Sequence, residues 1–114
     1  MNVIRFNGYT LCSEGILQYH DGETSWSCQL MNDEALLLRV LYRNRNVYLS
    51  TKNVLLILWG QEDSLWEHNL EVYIKRLQAK FARHGQVTLI ADDNFGIKLK
   101  IGSIRGYYAA SILQ

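Results

Sequence analysis

Short apolar runs broken by turn pairs occupy the first thirty positions, and a helical repeat of apolar positions follows, so the chain predicts a sheet leading into helices. The runs Val3 to Phe6, Tyr9 to Cys12, Ile16 to Tyr19 and Ser25 to Leu30 are rich in aromatic or branched residues. Asn7-Gly8 and Asp21-Gly22 between them tolerate positive φ. An antiparallel N-terminal sheet over 1–30 is the expectation. Asn32 or Asp33 can cap a first helix, in which Ala35, Leu37, Leu38, Leu41 and Tyr42 form a stripe ending near Asn44 and Leu36 and Val40 widen it. Val47 to Leu49 read as a short extended segment. Ser50 is the predicted cap of a second helix from Thr51 to Leu58, with Val54, Leu55 and Leu58 on its apolar face and Gly60 as its stop.

Gln61 to Trp66 reads as a loop. The clearest periodic segment is a third helix, roughly His68 to Ala82, where Leu70, Ile74, Leu77 and Phe81 fall on one buried stripe. Asn69, Val72, Tyr73, Arg76 and Lys80 then lie opposite it. At 1.5 Å per residue such a helix is about 22 Å long, enough to lie in a DNA major groove. Gln86 to Ala91 and Ile97 to Ile101 alternate around Asp92 to Gly96 and predict a hairpin. The expected class is α+β: an N-terminal antiparallel sheet, three helices and a C-terminal β-hairpin wing, a winged helix-turn-helix arrangement.

Length and composition narrow the function. At 114 residues the chain supports one core, so we expect a single domain over 1–114 divided into sheet (1–30), helical core (32–84) and wing with tail (86–114). The formal net charge is only +1, but it is unevenly spread: residues 35–60 hold Arg39, Arg43, Arg45 and Lys52 with no acid. Lys75, Arg76, Lys80 and Arg83 form a second basic stretch after the acids Glu62, Asp63 and Glu67. A one-sided field of this kind can hold a phosphate backbone. Cys12 and Cys28 stand far apart without histidines at ligand spacing, which argues against zinc and for two free thiols, a bridge being the minority case. There is no secretory signal pattern, and the longest apolar run, Val54 to Trp59, is too short to cross a bilayer, so a cytoplasmic protein is expected. His20, His68 and His84 show no local arrangement with acid and nucleophile, and no phosphate-cradling Gly-rich loop is present; neither an enzyme nor a cofactor is expected.

The segment Leu30-Met31-Asn32-Asp33-Glu34-Ala35-Leu36-Leu37-Leu38-Arg39-Val40-Leu41, the stretch Leu55 to Trp59-Gly60, and Leu70-Glu71-Val72-Tyr73-Ile74-Lys75-Arg76-Leu77-Gln78-Ala79-Lys80-Phe81 together resemble the DNA-binding domain of OmpR/PhoB-type response regulators and their ToxR-like relatives. The resemblance runs from Leu30 to Phe81 and implies a bacterial transcriptional regulator that binds double-stranded DNA. It implies base contacts from Arg76, Asn69, Val72 and Tyr73, and backbone contacts from Lys75, Lys80, Arg83 and Thr51. Arg76 suits guanine, Asn69 an adenine edge and Val72 a thymine methyl. The Gln61 to Trp66 region corresponds to one that faces RNA polymerase or a neighbouring subunit, making Trp66, Glu62 and Asp63 candidate protein contacts, with a purely structural Trp66 equally open. Another transcriptional regulator and a homodimer are further expected partners.

Gln78 and Thr51 replace arginines of the family pattern, and Asp93 stands where a minor-groove arginine is expected, with Ile97 in place of a tyrosine. An alternative alignment places the wing motif at Ser103-Ile104-Arg105-Gly106-Tyr107-Tyr108 and requires an insertion. Wing or tail contacts are accordingly expected from Asn94, Lys98 and Arg105. No receiver domain precedes the motif, which suggests a stand-alone regulator or the cytoplasmic piece of a larger one. Two readings compete with DNA binding: an ordinary amphipathic helix with solvated cations, and a protein-binding winged helix acting as co-regulator or anti-activator, the latter motivated by the acidic wing.

Overall fold

The computed structural model describes residues 2–102. Strands β1 (Ile4–Phe6), β2 (Tyr9–Leu11), β3 (Ile16–His20) and β4 (Ser25–Gln29) form an antiparallel meander in sequence order. Asn7 and Gly8 both take positive φ, 48° and 87°, and close β1 onto β2 with Phe6 opposite Tyr9. The Asp21-Gly22 turn is wider: His20 pairs with Ser25, and the Asp21 carboxylate accepts the Glu23 and Thr24 N–H groups at 2.9 and 2.7 Å. Those bonds, together with the Tyr19 hydroxyl, hold the Asp21 carboxyl down to about 2.

The sheet turns Tyr9, Leu11, Leu17 and Tyr19 inward against the helices. Helix α1 (Asn32–Arg43) contributes Leu37, Leu38 and Leu41 to the core, α2 (Thr51–Trp59) contributes Val54 and Leu55, and α3 (Ser64–Phe81) contributes Leu70, Ile74, Leu77 and Phe81. Phe81 meets Tyr9 edge to face at 4.9 Å, and the Tyr9 hydroxyl donates to the His84 carbonyl at 3.0 Å, fastening the end of α3 to the sheet. Burial pushes that phenol up to about 12.

Three helix boundaries depart from expectation, while strand ends shift by about a residue. The cap of α1 is Met31, with Asn32 and Asp33 inside the first turn, because Glu34 reaches back to accept the Met31 N–H at 3.1 Å. Helix α2 runs one residue further, to Trp59, before Gly60 takes φ 69°. Helix α3 starts at Ser64 rather than His68, since Asp63 accepts the Leu65 and Trp66 N–H groups at 3.1 and 3.2 Å and recruits the second half of the expected loop into a first turn.

Strands β5 (Val87–Asp92) and β6 (Gly96–Ile101) form the hairpin, paired from Val87–Ile101 to Asp92–Gly96. Leu49 pairs with Ile97 through two 2.8 Å backbone bonds, so the extended segment between α1 and α2 ties the hairpin to the helices. Gly96 makes this approach possible: its φ is +103°, and a Cβ there would run into the Leu49 carbonyl. The result is the expected winged helix-turn-helix. Cys12 and Cys28 are free thiols, as expected.

Candidate nucleic-acid interface

Because α3 buries Leu70, Ile74, Leu77 and Phe81, its outward face carries Val72, Lys75, Arg76 and Ala79. Asn69, Tyr73 and Lys80 lie half-buried on the flank toward α1 and α2, where Tyr73 approaches Trp59 at 6.3 Å between ring centres. The opposite flank, with Glu67, Glu71, Lys75 and Gln78, meets Thr51 at the start of α2 and Asp92 and Asp93 of the hairpin across a cleft of about 460 Å³.

One buried residue organises the basic flank. Glu34 is 0% exposed, and its Oε2 pairs with Lys80 Nζ at 3.0 Å and Arg76 Nε at 3.5 Å, while Oε1 takes the Met31 N–H. A carboxylate removed from water needs such partners. The side chains of Arg76 and Lys80 are 45% and 21% exposed, so the arginine reaches the surface while the lysine is largely committed to the pair. Binding through Nε leaves the two terminal guanidinium nitrogens of Arg76 for an outside acceptor. Sequence reasoning missed Glu34. A glutamate in a first helical turn reads as an ordinary cap, and its burial is decided only where α1 meets α3.

Gln78, where the family pattern has arginine, donates to the Leu89 carbonyl at 2.9 Å and fastens the hairpin to α3. At the hairpin tip the Asp92 carboxylate accepts the Asn94 and Phe95 N–H groups at 2.8 and 2.9 Å, an Asx turn that accounts for that acid. Asn94 and Asp93 are exposed on this turn. Phe95, 66% exposed, and Lys98, 4.4 Å over the ring centre, both lie against Tyr48. Neither aromatic was singled out from the sequence.

The remaining candidates are dispersed. Thr51 is exposed at the first turn of α2, and Arg83 is exposed just past α3. Lys75 lies 3.7 Å from Glu71, and Glu62 lies 3.7 Å from Lys52. Trp66 is in the first turn of α3, not in a loop; it stacks on Trp59 at 5.0 Å and donates to Gln61 at 2.8 Å, so one ring face is taken up internally. Arg105 and the alternative wing at 103–108 lie outside the described residues.

The family model described as "Transcriptional regulatory protein, C terminal" matches residues 26–95, more than half of the chain. The chain belongs to this family. This regulator domain is therefore a DNA-binding winged helix-turn-helix of the OmpR/PhoB type. Its fold is similar to the DNA binding domain of CpxR from E. coli, with a TM-score of 0.72 and 15% identity over 90% of this chain and 100% of that one. It is also similar to the C-terminal domain of the nisin resistance regulator NsrR, a lantibiotic response regulator, with a TM-score of 0.68 and 24% identity over 87% of this chain and 98% of that one. At these identities the likeness is one of fold. Among curated proteins no sequence match is found. No helix among the described residues is long and apolar enough to cross a membrane.

Proposed function

We propose that the regulator domain reads duplex DNA sequence-specifically in the bacterial cytoplasm, with the outward face of α3 in the major groove. The observation that supports this most is the Glu34 clamp: it holds Arg76 by Nε at the surface, as a bidentate reader of guanine requires. Val72 is the companion contact for a thymine methyl. Asn69 and Tyr73, at the edge of the same face, complete the base-reading set after small side-chain rotations. Lys75, Arg83 and Thr51 contact phosphates, and Asn94 and Lys98 meet the backbone from the wing. Lys80 is assigned to Glu34 rather than to phosphate, since its ammonium is already paired at 3.0 Å.

Glu62, Asp63 and the open face of Trp66 are proposed as the contact to RNA polymerase or another regulator. Homodimerisation would supply two half-sites and the affinity that a single sparsely charged module lacks. A second reading is favoured by the acids Glu67, Glu71, Asp92 and Asp93 lining the cleft beside α3: a winged helix that docks a protein there. Titrating duplex binding by fluorescence anisotropy over a range of salt separates the two. Binding at low salt that weakens as salt rises supports DNA recognition; no binding at low salt, or affinity indifferent to salt, selects the protein-docking reading. Selecting genomic fragments on the purified domain then gives the operator and its half-site spacing.

A further inference from the structure

A second surface lies on the outer sides of α1 and α2, and none of the residues lining it belongs to α3 or the hairpin. It is an open groove of about 670 Å³. Leu36, Arg39, Val40 and Arg43, spaced i, i+3, i+4 and i+7, share the α1 face that forms one wall. Ile57 of α2, 56% exposed, also lines the groove, with Leu56 exposed beside it, as do Asn2 and Ile4 near the start of the chain. Arg45 closes the end, its guanidinium 4.5 Å over the Tyr42 ring.

The charge of this groove is unanswered. Residues 35–60 contain no acid, and among the described residues no carboxylate lies within ion-pair distance of Arg39, Arg43 or Arg45. Arg39 donates to the Asn2 and Cys12 carbonyls, and Arg45 to the Tyr42 carbonyl at 3.1 Å. Carbonyls fix the positions of these guanidiniums without neutralising them. Positioned arginines around an apolar floor complement a ligand that has carboxylates and apolar side chains in register. A phosphate backbone would match the charge but leave Ile57, Leu36 and Val40 against a polar surface.

We infer that the α1–α2 groove docks an acidic amphipathic helix of a partner protein, whose apolar side chains lie on Leu36, Val40 and Ile57 and whose carboxylates reach Arg39, Arg43 and Arg45. The site is separate from the α3 face, so partner and DNA bind together. This assignment stands whether or not the domain reads DNA as proposed above.

The probe is a synthetic helical peptide with leucines at i, i+3, i+4 and i+7 and glutamates between them, titrated into the ¹⁵N-labelled chain. The expected result is amide shift changes at Leu36, Val40, Arg43, Arg45 and Ile57. Affinity should fall at least about tenfold in Arg43→Glu/Arg45→Glu and in Ile57→Asp. A matched peptide with lysines for glutamates should not bind, and duplex DNA should not displace the acidic one. Folding of each variant is checked by circular dichroism, and the milder Arg43→Gln/Arg45→Gln replaces any variant that fails. Shifts confined to α3 and the hairpin, equal binding of the lysine peptide, displacement by duplex, or no shifts at low salt would each overturn the assignment.

Discussion

At the scale of single residues, Glu34 uses its whole carboxylate: one oxygen on the Met31 amide, the other on two cations. Its two partners differ in what they lose on substitution. Lys80 is the closer and less exposed, so Lys80→Met should leave the buried charge poorly compensated and cost about 3 kcal/mol, the low end of the range for breaking a buried pair because Arg76 still faces Glu34. Arg76→Ala, with Lys80 still in place, should cost about 1 kcal/mol or less in stability yet erase discrimination between specific and random duplexes. Chemical denaturation and anisotropy on the same two variants check both halves; a larger stability loss for Arg76→Ala, or equal loss of binding to all duplexes, contradicts the division of roles. Asp21 provides a pH-dependent counterpart. Its carboxyl is held at about 2, below the ordinary 3.8, so the stability it contributes is full above 3.8 and disappears as pH falls through 2. The gap in urea midpoint between the native chain and Asp21→Ala should therefore be open at pH 6 and nearly closed at pH 2.

At the scale of elements, the junction of Leu49 with the hairpin decides where the wing sits relative to α3. Gly96→Ala combines a disfavoured φ with a clash against the Leu49 carbonyl, and should cost about 1–3 kcal/mol while speeding amide exchange at Leu49 and Ile97. Exchange unchanged at those two amides would show that the bridge does not anchor the wing. These elements were legible in the sequence to different degrees. The period-four and period-three spacing of Leu70, Ile74, Leu77 and Phe81 is enough to place α3 and turn Val72 and Arg76 outward, and Asn7-Gly8 is enough to close the first strands. The start of α3 is not legible in that spacing, because Gln61 to Ser64 is polar and the capping role of Asp63 lies outside the apolar repeat. The roles of Glu34 and Gln78 depend on contacts 42 or more residues away in the first case and on the hairpin strand in the second; Gln78 read as a missing arginine when it is a tether to Leu89. Local propensity carries the elements, whereas a buried charge cluster exists only after they pack.

At the scale of the whole molecule, the balance of charge around α3 sets how strongly DNA can be held. Lys75, Arg83 and Lys98 are the cations proposed to meet phosphates, so log affinity against log salt should fall with a slope of about −2 to −3. The cleft acids work against them. Glu71 both repels phosphate and lies 3.7 Å from Lys75, whereas Asp93 is an exposed wing-tip charge with no turn bond of its own among those described. Glu71→Gln should therefore raise duplex affinity more than Asp93→Asn, because it removes a repulsion and also releases Lys75 toward the backbone. Both charges are exposed, and their influence is screened over a Debye length of about 10 Å at 0.1 M salt. The gains should be about two- to fivefold at low salt and vanish well above 0.1 M. If the cleft is instead a protein-docking site, neither substitution will raise affinity for any duplex at any salt, which makes this pair of variants decisive for the sign of the acidic wing's contribution.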